Sequence, residues 1–417
     1  MVAQPDILSL DLDFHDETST YSSHALHAFA AKFPPQLPGI FIDRLTKPGD
    51  TVLDPMNGSG TTTLEAYLRG RRAIGCDIDP LAVRIARVKA TPVQIDAPGL
   101  TDMFIKNARS VLEDDAAIRD ALDLRFDEKT RRFIDYWFFP ETAKELMALL
   151  LSIEEYPHGS PVRELLEVVF SGIIVTKSGG VSRARDLAHS RPHIDETRKP
   201  KSAIKAFELR LRKFAPVIAA LPDHAPYADI VQCSARKLAV KDDSAHLIVT
   251  SPPYANAIDY MRANKFSLAW LGMPVADLGR LRSKYIGSET TGDSATGLLP
   301  PYTEDLLHSL GVLDRRKEAV LRKYYLEMRD ALTEMCRVLL PGHYAIVVVG
   351  TSTMRGLDVR TPYCLADIAE HDAGFDMAGI LHRSLDRDRR MMPFSKGVTQ
   401  IEQRMGTEEV IVLKKPA

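Results

Sequence analysis

The apolar positions of this chain fall into short runs that alternate with stretches of helical period. Residues 51–54, Thr-Val-Leu-Asp, read as a short buried strand that ends in Asp54-Pro55. A helical pattern through Leu64, Ala66 and Leu68 follows as far as Gly70. Residues 72–79 repeat the strand pattern and 81–89 the helical one, which makes a β-α-β-α unit. From 101 to 222 the period is helical: Phe133, Ile134, Trp137 and Phe138 precede a break at Pro140, and 161–174 reads as a buried helix. Strand patterns resume at 228–238 and 245–249. A helix at 315–340 leads to strands at 343–350, 377–385 and 408–414, with a helix at 363–372 between the first two. The pattern predicts an α/β fold with a mostly parallel sheet of roughly seven strands, the last two antiparallel, and a large helical insertion. Residues 1–100 read as an N-terminal arm and the first part of the α/β domain, 101–225 as the insertion, and 226–417 as the remainder. Residues 1–20 read as a loose arm and 275–315 as a mobile loop region.

Two turns between these elements carry chemistry. After the first strand comes Met56-Asn57-Gly58-Ser59-Gly60-Thr61-Thr62, and the second strand ends in Asp77-Ile78-Asp79. Gly58 and Gly60 allow close backbone approach to a ligand at a helix N-terminus, and an acid after the second strand suits ribose hydroxyls. Asp54, placed before the glycines, would repel a pyrophosphate but would pair with an ammonium group. That favours S-adenosylmethionine (AdoMet) over a dinucleotide. The other turn is Thr250-Ser251-Pro252-Pro253-Tyr254, at the end of the 245–249 strand. Two prolines end the strand and hold a hydroxyl, a carbonyl and a ring in a stiff turn. Ser251 and the Pro252 carbonyl would accept hydrogen bonds from an amino group while Tyr254 stacks on a planar ring. The plainer alternative is a Pro-Pro loop with a packed tyrosine.

A net charge of −2 over 417 residues names no partner, so nucleic-acid contacts must come from local basic patches. One such patch runs from Arg183 to Lys213, with ten Lys or Arg against four Asp or Glu. Its Gly-rich start holds Arg183, Arg185, His189 and Arg191, which are candidates for phosphate contacts; a solvated basic surface is the alternative. Cys76, Cys233, Cys336 and Cys364 have no metal-ligand spacing and read as reduced, mostly buried thiols. His24 and His27 lack further ligands nearby, so no metal is expected. With no apolar run of membrane-helix length and no signal peptide, a cytoplasmic protein is expected.

With both turns in view, the chain resembles the amino-group DNA methyltransferases of the AdoMet-dependent, Rossmann-like class I, and most nearly the cytosine-N4-specific enzymes. Residues 54–62 match the family's AdoMet motif with Met56 in place of the usual Phe, Asp77 matches its ribose acid, and 250–254 match its catalytic motif unchanged. Lys32-Phe33-Pro34-Pro35 is similar to the segment that closes over the methionine end of AdoMet. The resemblance covers 24–90 and 228–415; the insertion matches nothing and is assigned to target recognition by position and charge. The resemblance implies AdoMet held by Lys32, Phe33, Pro34, Asp54, Pro55, Gly58, Gly60, Thr61, Asp77, Ile78, Ser234 and Ala235, and catalysis by Ser251, Pro252, Pro253 and Tyr254. Ser234 stands where the family often has an acid, so the adenine contact departs from the pattern there. The implied partner is DNA with the target cytosine flipped out, alongside a cognate restriction endonuclease that acts separately. Open alternatives are adenine-N6 methylation, more often accompanied by Asp or Asn at the Ser251 position; a catalytically silent nucleic-acid-binding protein; and an RNA substrate.

Overall fold

Strand β1 (Thr51–Asp54) is buried along its length, and β2 (Arg72–Asp77) and β4 (Ala245–Thr250) pair with it in parallel on either side. Beyond β2 lies β3 (Asp229–Gln232), and beyond β4 lies β5 (Leu339–Val349), again in parallel. The antiparallel strand β9 (Thr407–Lys414) follows β5, and β8 (Asp376–Ser384) closes the edge, giving the order β3-β2-β1-β4-β5-β9-β8. This is a Rossmann-like sheet. The chain leaves β1 in one direction and returns at β4 to build in the other, so the strand order reverses between β1 and β4. A crevice opens at the carboxyl ends of strands at such a point. A small hairpin of β6 (Thr353–Met354) and β7 (Leu357–Asp358) stands apart from the sheet. The computed structural model describes residues 7–29, 32–176, 180–185, 193–255, 260–288, 297–385 and 406–417.

Helices α1 (Gln36–Leu45), α2 (Thr61–Leu68) and α3 (Pro80–Lys89) belong to the first half of the sheet. The insertion contributes α4 (Ala97–Glu113), α5 (Asp115–Arg125), α6 (Glu128–Trp137), α7 (Pro140–Glu154), α8 (Pro161–Ile174) and α9 (Ala203–Ala219). After β4 come α10 (Tyr260–Trp270), α11 (Val275–Arg282), α12 (Pro301–Leu313), α13 (Arg315–Val338) and α14 (Thr361–His371). The insertion does not form a core of its own. Leu64 of α2 and Leu81 and Ile85 of α3 join Phe104, Phe170, Phe207 and Trp270 in one apolar cluster. On the opposite face α13 and α14 pack against β4 and β5 through Leu321, Tyr325, Leu332 and Leu365.

Four expectations from sequence change. The N-terminal arm is not loose: Ile7 and Leu12 are buried, the Leu12 carbonyl accepts from Arg383 Nε (3.1 Å), and Asp13 Oδ1 accepts from the Ser384 N–H (2.6 Å). The 275–315 stretch, read as loop, holds α11 and α12, whose periods are short and interrupted by Gly279 and Gly311. Helix α13 ends at Val338 and β5 starts immediately, carrying Pro341 and Gly342 near its first residues. Cys76 and Cys233 are not free thiols but form a disulfide. They sit 157 positions apart in sequence on neighbouring parallel strands, which brings their Cα atoms to 5.5 Å.

Candidate active site

At the reversal point a cavity of about 450 Å³ opens, a volume suited to a small cofactor. One corner is built from the ends of β1 and β2. Asp54 is buried; its Oδ1 accepts from the Met56 N–H (3.1 Å) and from Thr250 Oγ1 (2.7 Å), which ties the end of β4 to the glycine turn. Asp77 accepts from the Gly58 N–H through Oδ2 (2.7 Å) and from the Asp79 N–H through Oδ1 (2.8 Å). Asp79 caps α3 through the Leu81 N–H (2.8 Å) and accepts from Asn264 Nδ2 (2.6 Å). Burial pushes the Asp54 carboxyl up to about 6. Burial, reinforced by the Asp79 charge, pushes Asp77 up to about 7, and burial raises Asp79 as well. Asp54 and Asp79 are buried and Asp77 half-buried, each held by backbone N–H groups or neutral side chains, so a nearby cation would favour their ionised forms. A ligand bearing an ammonium and a sulfonium fits that corner.

Of the residues expected to hold the cofactor, Lys32, Phe33, Asp54, Pro55, Gly58, Thr61, Asp77, Ile78, Ser234 and Ala235 line the cavity; Pro34 and Gly60 do not. Gly58 sits at φ +48°, and a Cβ there would meet the Phe29 ring at 3.4 Å. Gly60, at φ +78°, serves packing instead: a Cβ there would lie 2.7 Å from that of Ala86, so the glycine lets α2 close on α3. Lys32 Nζ donates to the carbonyls of His24 (3.0 Å) and His27 (3.1 Å). His24 is a structural residue, hydrogen-bonded to the buried Glu65 (2.6 Å), and burial lowers its pKa to about 4.

The 250–254 turn borders the same cavity through Ser251 and Pro253. Tyr324 Oη of α13 donates to the Pro253 carbonyl (2.9 Å) and steadies the turn. Pro252 is buried and is not part of the wall, and neither is Tyr254, whose hydroxyl donates to Glu408 Oε1 (2.6 Å) on β9. Glu408 Oε2 in turn accepts from the buried Arg383 (2.7 Å). Sequence reading did not single out Phe29 and Tyr260, which stack at 5.4 Å between ring centres and both line the cavity. Nor did it single out Asn264, Tyr285 and a group of basic wall residues. Tyr260 and Asn264 belong to the polar and aromatic stretch 255–266 after the Ser-Pro-Pro-Tyr turn, which reads as able to line a cleft, whereas Tyr285 and the basic residues come from more distant segments.

Four arginines of the basic stretch are engaged by the fold, while Arg185, Lys199, Lys201, Lys205 and Lys213 are exposed. Arg183 donates to the Tyr136 carbonyl (3.2 Å) and lies over the Phe139 ring, Arg198 donates to the carbonyls of Gly180 and Ser182, and Arg210 donates to that of Leu26. Arg212 pairs with Asp102 and Glu208. Arg185 is exposed; His189 and Arg191 lie outside the described residues. None of the described helices is long and apolar enough to cross a membrane, and no His, Cys, Asp and Glu cluster suited to a metal occurs among the described residues.

A Rossmann-like sheet with an acid-ended glycine turn facing a Ser-Pro-Pro-Tyr turn defines an AdoMet-dependent methyltransferase site. Residues 12–88 match the family described as DNA methylase. The chain is 23% identical over 391 residues to the type II methyltransferase M.MvaI of Kocuria varians, spanning 86% of this chain and 83% of that one. It is 24% identical over 288 residues to the type II methyltransferase M.BsoBI of Geobacillus stearothermophilus, spanning 65% and 56%. Among solved structures, a SAM-dependent methyltransferase of Methanosarcina mazei aligns with 90% of this chain and 97% of its own at 10% identity and a TM-score of 0.33, too distant to bear on the site. Together the site and the sequence matches support an amino-group DNA methyltransferase with AdoMet as its methyl donor.

Proposed function

We propose that this chain methylates the exocyclic N4 amine of cytosine in DNA, as the modification partner of a separately acting type II restriction endonuclease. The observation that carries the reading is the shared cavity: the Ser251 turn and the Asp54–Asp77 corner open onto one space, with Thr250 bonded to Asp54 between them. AdoMet, when bound, supplies an electrophilic methyl group. Asp77 would hold the ribose hydroxyls, the Gly58 backbone would allow close approach, and Asp54 would favour the cationic amino-acid end. Cytosine's amine is a weak nucleophile because its lone pair is delocalised into the ring. Ser251 and the Pro252 carbonyl would accept the amine's hydrogen bonds, drawing the nitrogen towards sp³ and directing its lone pair at the methyl. The turn must hold still to do this, and the Tyr324 bond to Pro253 restrains it. Tyr254, anchored by Glu408, would stack on the flipped base from the outer side of the turn and offset part of the cost of unstacking. Positioning supplies most of the rate, so no covalent enzyme intermediate is required.

The serine at 251 favours cytosine over adenine through the family's tendency noted above. Mapping methylated bases at single-nucleotide resolution in DNA from cells expressing the chain tests the assignment. Recurrent 4-methylcytosine within one short sequence is expected. Finding 6-methyladenine would keep the mechanism and sink the base assignment, and finding no methylated base would leave the silent binding protein.

A further inference from the structure

The walls of the cavity carry both signs of charge. Its acidic residues are Asp54, Asp77 and Asp79, all in the corner at the ends of β1 and β2. Its basic residues are Lys32, Arg262 on α10, Arg282 at the end of α11, Lys284 just after it, Lys317 on α13 and Arg355 in the β6–β7 hairpin. Lys317 lies two helical turns before Tyr324, on the same face of α13, and Tyr324 is the residue bonded to the catalytic turn. Asp314 fastens this end together: Oδ1 accepts from the Arg316 and Lys317 N–H groups (both 3.0 Å), and Oδ2 accepts from Arg355 Nε (2.7 Å).

Two features of this end run against stability. Arg315, Arg316 and Lys317 open a 24-residue helix, where the backbone dipole favours acids over cations and only the Asp314 cap and Glu318 supply them. Arg355 occupies the first central position of a two-residue hairpin loop at φ +54°, followed by Gly356 at +82°, a geometry that prefers Asn or Gly. Local rules broken together, beside a catalytic turn, are expected where a surface serves binding. Meanwhile Arg183, Arg198, Arg210 and Arg212 of the insertion are bonded to carbonyls or carboxylates of their own fold.

We propose that Arg315, Arg316, Lys317 and Arg355 form a cationic lip that holds the DNA backbone beside the flipped base. This rests on the DNA-methyltransferase reading. The lip places positive charge where strand phosphates pass the mouth of the cavity, while the acidic inner corner turns the same phosphates away from the cofactor seat. On this proposal the catalytic half of the chain carries phosphate contacts of its own, whatever the insertion adds.

The test uses the full-length chain and a fluorescent mixed-sequence duplex, with affinity measured against salt. Each lost phosphate contact should lower the slope of log K against log salt by about 0.9. The R315Q/R316Q/K317Q triple variant should lose at least ten-fold in affinity at low salt and show a flatter slope, and R315Q/R316Q, which leaves the cavity wall intact, should do so in part with AdoMet affinity unchanged. Arg355→Asn separates binding from folding: Asn suits the turn, so the melting temperature should hold or rise while DNA affinity falls. An unchanged slope in the triple variant would overturn the lip, whatever R185Q/K199Q/K201Q in the insertion loses. If the triple variant melts early, Arg355→Asn decides alone, and undiminished DNA affinity in it counts against the proposal. A wild-type chain that binds AdoMet but no duplex at any salt would instead overturn the DNA reading on which the lip depends.

Discussion

Asp54 and Asp77 keep protons in the folded chain up to about pH 6 and 7, whereas the unfolded chain releases them near 3.8. Between those values the folded state binds more protons than the unfolded one, so this contribution to stability is full at low pH and is lost as pH rises through 6 and 7. A cationic cofactor favours the ionised carboxylates and works in the opposite direction. The rise in melting temperature on adding AdoMet should therefore be larger at pH 8 than at pH 5.5. An equal rise at both would mean that the carboxyls do not meet the cofactor's charge. Asp77→Ala should weaken AdoMet binding by about 1.5–3 kcal/mol by calorimetric titration, the range for a hydrogen bond to a charged group. Tyr254→Ala should lose stacking of about 1–3 kcal/mol and cut turnover roughly ten- to a hundred-fold. Tyr254→Phe keeps the ring but releases it from Glu408, so its loss should be smaller yet measurable. Full activity in Tyr254→Ala would remove this residue from the mechanism.

At the scale of elements, legibility followed sequence distance. Asp54, Gly58 and Asp77 could be read because strand, turn and acid are near neighbours in the chain, and the physics of each is local. The Ser251–Tyr254 turn was legible for the same reason, since two prolines after an apolar run leave few alternatives. Tyr260 and Asn264 were legible only as part of a polar, aromatic stretch after the turn, and Tyr285 and the lip not at all, because only the folded topology brings their segments to one cavity. Charge counting alone does not say which of the Arg183–Lys213 cations the fold engages. The Arg183–Lys213 excess ignores backbone carbonyls, and it is carbonyls of Leu26, Tyr136 and Gly180 that engage Arg210, Arg183 and Arg198. Gly60 was read as a position for glycine, and the structure gives it a packing reason as well, the close approach of α3. Gly60→Ala forces a side chain into positive φ and against Ala86, and overpacking of this kind costs about 1–3 kcal/mol. The thermal midpoint should fall accordingly, and a variant as stable as the wild type would show that α2 and α3 can separate freely.

At the scale of the whole molecule, α10 connects the site to the insertion. Its first turns bring Tyr260 to the cavity and Asn264 to Asp79, while its last turn carries Phe266 and Trp270 into the helical core. Trp270 is fully buried and meets Phe126, Phe138 and Phe170 edge-on, rings drawn from three separate parts of the insertion. The apolar cluster continues from there to Leu64, Leu81 and Ile85 beneath the glycine turn. Insertion and sheet should therefore unfold together, in a single calorimetric transition. Trp270→Ala removes the ring at the centre of this junction, and such truncations cost about 3–5 kcal/mol. The same substitution should weaken AdoMet binding, although Trp270 lies outside the cavity wall, because α10 then holds Tyr260 and Asn264 less firmly. Trp270→Phe, which keeps most of the packing, should recover both properties in parallel. If Trp270→Ala lowered stability but left AdoMet affinity untouched, the insertion would be a passive support and α10 would not couple it to the site.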